Sequence, residues 1–191
     1  MTAREPGPGS GPKGWPAAPE PPELHVLRME RLTFRQALAG DLPLLQAIRA
    51  AAFAPVFASF RALTGETVAA LALARAETDQ AGELARLASP ASPEQLYVAR
   101  LGSATIGFVT LITDPGTRIG EIGLNAIDPA HAGRGLGTMM YRWALAELRA
   151  RGMAVATVGT GGDPSHAAAR RAYEKAGFGP QLPAIWYYAA L

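Results

Sequence analysis

Cysteine is absent from the 191 residues. Its absence excludes disulfides, iron–sulfur clusters, thiolate zinc sites and a cysteine nucleophile. Only three histidines occur, His25, His131 and His166. They are too few and too scattered for a histidine-rich site, so no metal is expected. An excess of one charge is lacking too. The 18 basic and 16 acidic residues leave a net +2, which does not make a nucleic-acid-binding surface. No run of 18 apolar residues escapes a charge or a breaker, so no membrane-spanning helix is expected. The N-terminus has no apolar stretch of signal-peptide kind. These absences point to a cytoplasmic protein. What is present is a hydrophobic share of 49% against 18% charged. That suffices for one domain with a real core.

Proline and glycine crowd into residues 1–22, where no apolar period survives. Such a segment cannot offset its ordering entropy. Residues 1–29 are therefore expected to be a disordered tail, and residues 30–191 the folded domain. A start site placed too early, with Met29 opening the chain, and a proline-rich docking segment are the other readings of the tail.

Arg31–Ala37 alternates like a strand. Asp41 and Pro43 suit a helix start. The helix runs from Leu42 to about Phe53, where Pro55 is expected to break it. Thr64–Leu87 reads as more helix, with a break at Gly82. Leu96–Arg100 and Ala104–Ile112 flank a Gly102-Ser103 turn, a hairpin signature. Gly120–Ile127 is a further strand. Leu136–Arg151 is an amphipathic helix whose apolar positions are Leu136, Met139, Met140, Trp143, Leu145, Ala146 and Leu148. Met153–Val158 reads as a buried strand. Ser165–Ala176 is a helix with Gly177 as its stop. Ala184–Ala190 reads as a last strand, its aromatics Trp186, Tyr187 and Tyr188 mostly in the core. The order β-α-α-β-β-β-α-β-α-β implies an α/β domain with a mixed, mostly antiparallel central sheet and helices on both faces.

The segment 127–138, IDPAHAGRGLGT, joins a strand end to a helix N-terminus. Glycines at 133, 135 and 137 let a ligand approach the backbone. The helix dipole and free amides favour an anion, and Arg134 adds positive charge. A pyrophosphate would suit this turn. No Gly-Lys-Ser or Gly-Lys-Thr occurs for a P-loop, and the G-x-G-x-G spacing is not the dinucleotide fingerprint. A glycine turn without a ligand stays open on these residues alone. A second element, residues 166–178, HAAARRAYEKAGF, places His166, Ala169 or Arg170, and Tyr173 on one helix face.

Together these elements resemble the GNAT superfamily of acyl-CoA-dependent N-acyltransferases. The Q/R-x-x-G-x-G/A pattern matches Ala132–Gly137. The Tyr-Glu-Lys-x-Gly-Phe pattern matches Tyr173–Phe178 in full. The likeness covers about residues 31–191 and is specific for 120–179. It departs from the pattern at Ala132, which replaces Gln or Arg, and at His166, where many relatives have Asn. The resemblance implies the GNAT fold and acetyl-CoA as co-substrate. It implies cofactor contacts from Ala126, Ile127, Ala132, Gly133, Arg134, Gly135, Leu136, Gly137, Thr138, His166 and Ala169. Tyr173 would be the acid that protonates the departing thiolate.

Glu121 is the candidate base. It stands fourteen positions before Gly135, as the base glutamate does in the histone-acetyltransferase branch. Strand parity puts Glu121, Gly123 and Asn125 on one face, with Ile122, Leu124 and Ala126 on the other. His131 reads as a solvated loop histidine, and Asp128 as the holder of its turn. Phe53, Phe57 and Phe60 are either pocket lining or core.

The implied activity is acetyl transfer to a primary amine of a small molecule or peptide, by a monomer or homodimer, without nucleic acid or membrane. A non-catalytic acyl-CoA-binding module is the alternative. A nucleotide-dependent enzyme is a third reading.

Overall fold

The computed structural model describes residues 31–89, 91, 92 and 94–191. The expected tail, residues 1–29, and His25 lie outside the described residues. Five strands form one sheet in chain order: β1 (Leu32–Gln36), β2 (Gln95–Leu101), β3 (Ala104–Asp114), β4 (Ile119–Ile127) and β5 (Val155–Val158). The first four pair antiparallel, and β4 pairs parallel with β5. The parallel pair follows from the intervening helix α3 (Leu136–Ala150), which forces a crossover.

Helices α1 (Leu42–Val68) and α2 (Ala74–Leu87) cover one face. Leu45, Ile48, Leu84 and Leu87 pack there on Leu96, Val98 and Phe108. Helices α3 and α4 (Ala167–Ala176) cover the other. Leu136, Met140, Ala144 and Leu148 recur every fourth residue and pack on Val109, Leu111 and Ile122. Strand β3 is buried from both sides, which explains its nearly unbroken apolar run. This is the expected mixed sheet between helical layers.

Several local expectations are corrected. Pro55 lies inside α1 and does not end it. Its side is exposed, while buried Phe57 holds the next turn against the domain. The break falls at Gly65, whose φ of 78° and ψ of 171° no helix accommodates. A π-helical turn, Ala69–Leu73, then leads into α2, which runs through Gly82. Asp41 does not cap α1 with its side chain. It accepts a bidentate pair from Arg35, both at 2.7 Å, and the Leu38 amide at 2.8 Å. Apart from the kink at Gly65, helical turns run from Ala39 to Leu87, and this run is long and apolar enough by composition to cross a membrane, contrary to expectation. Alanine-rich stretches with few charges produce that signal. In the fold, Leu45, Ile48, Leu84 and Leu87 of this run are buried in the core.

Strand β5 is a half-exposed edge, not a buried strand: Val155 is 56% exposed. The expected last strand over Ala184–Ala190 is absent among the described residues. Trp186, Tyr187 and Tyr188 are 67%, 91% and 54% exposed, so they are not core. The aromatic run supplied that expectation, and among the described residues no ladder partner meets the segment after Gly179, Pro180 and Pro183.

Candidate active site

The β4–β5 ladder begins at Ile119–Val155 and ends at Ile122–Val158. Strand β4 continues to Ile127, and β5 does not. Among the described residues, 123–127 therefore have a strand neighbour only on the β3 side, and the sheet opens at this point.

A β-bulge lies at the opening. Val109 faces Asn125 and Leu111 faces Ile122, so Gly123 and Leu124 share the space opposite Thr110. The extra residue inverts the parity of everything after it. Ile122 and Asn125 consequently share the α3/α4 face. Glu121 shares the α1/α2 face with Leu124 and Ala126. The expected grouping of Glu121 with Asn125 is overturned by this bulge. Glycine at 123 suits the crowded site. A Cβ there would stand 3.3 Å from Ile112 Cδ1. Thr110 is buried beside it, and its hydroxyl has no hydrogen-bond partner among the described residues.

Asn125 links three elements. Its Nδ2 donates to the Gly123 carbonyl at 2.8 Å and toward the Tyr173 hydroxyl at 3.4 Å. Its Oδ1 accepts from the Tyr141 hydroxyl at 2.8 Å. The Tyr141 and Tyr173 rings lie 4.3 Å apart, and Phe178 packs edge-on against Tyr173. Both tyrosines are only 6% exposed. Burial, then the neighbouring Tyr173 hydroxyl, pushes the Tyr141 phenol well above its ordinary range. Tyr141 thus stays a donor. It went unnoticed in the sequence, although an aromatic with a polar tip on a buried helix face must find a partner.

The glycine-rich turn follows β4. Asp128 Oδ1 accepts the Ala130 amide at 2.9 Å and holds the Asp-Pro turn as expected. Gly133 and Gly135 both have φ of 75°. No side chain caps α3 at Gly135, so no side chain competes for the first amides of the helix. Ala132 and Arg134 are exposed, Leu136 is buried, and Gly137 and Thr138 are half-buried. Arg134 Nη1 lies 2.9 Å from His131 Nδ1. A guanidinium only donates, so this nitrogen accepts and Nε2 carries the hydrogen. His131 is thus tied into the turn.

Ala126 is buried and Ile127 half-buried, both on the freed stretch of β4. Ala169 packs at the edge of the α3/α4 core. His166 is engaged already: its Nδ1 lies 2.5 Å from Asp163 Oδ1, and its ring stacks on Phe60 at 5.7 Å. Asp163 Oδ2 accepts from Ser59 at 2.8 Å, from the Ser165 hydroxyl at 2.5 Å and from the Ser165 amide at 3.1 Å. Burial works to raise the Asp163 carboxyl. The bonds from Ser165, His166 and Ser59 overcome it and hold the group well below the usual carboxylate range. This cluster ties the start of α4 to α1.

Glu121 is exposed, on the sheet face opposite Asn125 and Tyr173. Phe53 and Phe57 line a cavity of about 340 Å³ between α1 and α2, together with Arg49, Glu77 and Thr78. Among the described residues no group of three or more histidine, aspartate or glutamate side chains is placed to hold a metal ion.

Comparison with known proteins places this arrangement. The model of the acetyltransferase (GNAT) family matches residues 62–178. A GCN5-related N-acetyltransferase from Ralstonia eutropha JMP134 has a similar fold, with a TM-score of 0.56 at 22% identity over 84% of this chain and 100% of that one. An N-acetyltransferase, PaiA, from Thermoplasma acidophilum, solved with coenzyme A, gives 0.57 at 15% identity over 79% and 91%. AAC(6')-Iy, solved with a bisubstrate analogue, CoA-S-monomethyl-acetylneamine, gives 0.54 at 12% identity over 84% and 99%. No curated protein sequence matches significantly.

Proposed function

Because the chain belongs to the GNAT acetyltransferase family, we propose that it transfers an acetyl group from acetyl-CoA to a primary amine of a small molecule or peptide. One observation carries this reading. The stretch of β4 freed from β5 bears Asn125 against the Tyr173 hydroxyl, and it leads through the glycine turn into the uncapped start of α3.

The groups present suit the co-substrate. Amides of residues 133–138 and Arg134 hold the pyrophosphate. His166, just before α4, and Ala169 on it flank the group. Ala126 and Ile127 flank the pantetheine, and a backbone N–H of this stretch polarises the thioester carbonyl. When bound, acetyl-CoA supplies the acetyl group and leaves as the thiol. Tyr173 gives its proton to the departing sulfur. Glu121, directly or through water, takes the proton of the attacking amine. Its place on the α1/α2 face brings the acceptor in from that side, toward Phe53 and Phe57.

Thiol release from acetyl-CoA across a panel of amines tests the activity. Tyr173→Phe should cut turnover by about 10–10⁴-fold, as for loss of a general acid, and leave acetyl-CoA affinity nearly unchanged. Unchanged turnover removes Tyr173 from the mechanism. Tight acetyl-CoA binding without thiol release on any amine supports the non-catalytic module instead.

A further inference from the structure

We propose that Asn125 and Tyr141 form a positioning pair that keeps the Tyr173 proton free for the leaving group. The proposal rests on the acid role given to Tyr173 above.

A hydroxyl can donate only one hydrogen. If the Tyr173 O–H were bonded to a protein acceptor, that hydrogen would be occupied before the reaction began. The Asn125 amide is oriented against this. Its Nδ2 faces the Gly123 carbonyl at 2.8 Å, an acceptor that no amide oxygen would tolerate so close. The same Nδ2 faces the Tyr173 oxygen at 3.4 Å, so Tyr173 receives there and does not give. Its Oδ1 is satisfied by the Tyr141 hydroxyl at 2.8 Å. Donor, amide and acid thus form a chain with one direction: Tyr141 O–H to Asn125 Oδ1, and Asn125 N–H to the Tyr173 oxygen.

The chain matters again after proton transfer. When the Tyr173 O–H bond breaks, its electron pair stays on the phenolic oxygen and the proton forms the S–H bond of the thiol. The Asn125 N–H already points at the oxygen that gains the charge. Hydrogen bonds to a charged oxygen strengthen relative to the neutral one. The fold supplies the geometry at one place. The bulge at Gly123–Leu124 turns Asn125 onto the face of Tyr173 and points the Gly123 carbonyl at its amide.

Tyr141→Phe removes one oxygen and takes from Oδ1 its donor. The Tyr173 hydroxyl, in contact with the same amide, is the nearest hydroxyl left to serve it, and its proton is then held back. A double-mutant cycle of Tyr141→Phe and Tyr173→Phe, read as kcat and as KM for acetyl-CoA, tests this. Tyr141→Phe alone should lower kcat by about tenfold, the effect of roughly one hydrogen bond on a barrier, with KM for acetyl-CoA unchanged. In the Tyr173→Phe background it should cost nothing further, since no proton remains to be positioned.

Equal losses in both backgrounds, or a rise in KM with kcat unchanged, overturn the proposal and leave Tyr141 a packing residue. Where Tyr141→Phe does not fold, Asn125→Ala takes its place in the cycle with the same expectations. If Tyr173→Phe itself leaves turnover intact, the acid role fails and the proposal with it. If Tyr173→Phe lowers turnover and the cycle is additive, only the positioning pair fails.

Discussion

The three glycines of the turn look alike in the sequence, and substitution should separate them. Gly133 and Gly135 have φ of 75°, and a Cβ at either would meet nothing within 4 Å. Space is therefore not the constraint. Backbone conformation is, because an L-residue in the left-handed region costs about 1–2 kcal/mol. Gly137 lies within α3, with a Cβ position 3.9 Å from Ala172 Cβ and Tyr141 Cε2, an ordinary contact distance. Alanine there should be tolerated, and it gains helix propensity of up to about 1 kcal/mol over glycine.

The perturbation to make is Gly135→Ala, beside Gly135→Asn and Gly137→Ala. Gly135→Ala either keeps its left-handed φ at a cost of about 1–2 kcal/mol, or relaxes and turns the following amides away. For a domain of this size the first course lowers Tm by about 2–8 °C. Given the proposed pyrophosphate contact, the second course loses at least one amide bond to phosphate, about 1.5–3 kcal/mol, or roughly 10–150-fold in coenzyme A affinity. Asn accepts the left-handed region more readily, so Gly135→Asn should show the smaller effect. Thermal melts and titration calorimetry with coenzyme A read both quantities. Equal effects of Ala and Asn at 135 would refute the conformational reasoning. So would a larger Tm loss for Gly137→Ala than for Gly135→Ala.

Two further outcomes are expected. Asp163→Asn should lower stability at pH 7 by about 2 kcal/mol, through weakened bonds to a charged acceptor, seen in urea melts. The folded Asp163 carboxyl is held below its unfolded value, so its stabilisation is complete above about pH 5 and fades as pH falls through 4 and below. The gap between wild type and Asp163→Asn should narrow from pH 5 to pH 3, and an equal gap at both would count against the cluster. Thr110→Val replaces a buried, unpartnered hydroxyl with a methyl and should raise Tm by about 2–4 °C, for roughly 1 kcal/mol. A drop of that size in a thermal melt would mean that the hydroxyl has a partner.

What was legible in the sequence is what depends on neighbours in the chain. Leu136, Met140 and Leu148 announced both α3 and its buried face, although Met139, read with them, is 48% exposed. Gly102-Ser103 announced the hairpin, and Gly177, with φ of 114°, the end of α4. The glycine turn and the Tyr173 motif were visible for the same reason. What was not legible depends on partners far along the chain. Ser59 and Asp163 are 104 residues apart, and Tyr173 stands 48 from Asn125. Pro55 reads as a breaker until Phe57 is seen to be buried. The last aromatic stretch is apolar like a strand, but a strand requires a neighbour, and among the described residues none pairs with it.

The bulge is the most instructive miss. Period-2 parity assigned Glu121 and Asn125 to one face, which would have put the candidate base and the acid on the same side of the sheet. One extra residue at Gly123–Leu124 divides them. Glu121 faces the α1/α2 side and Asn125 the Tyr173 side. A strand that opens away from its neighbour has an otherwise closed face on each side. Parity inversion lets that single strand present a carboxylate to one side and an amide to the other. In the proposed reaction the amine loses its proton on one side of β4 while the thiol gains one on the other. An unbulged strand of the same composition would have put both groups on one side and left the other without a polar side chain.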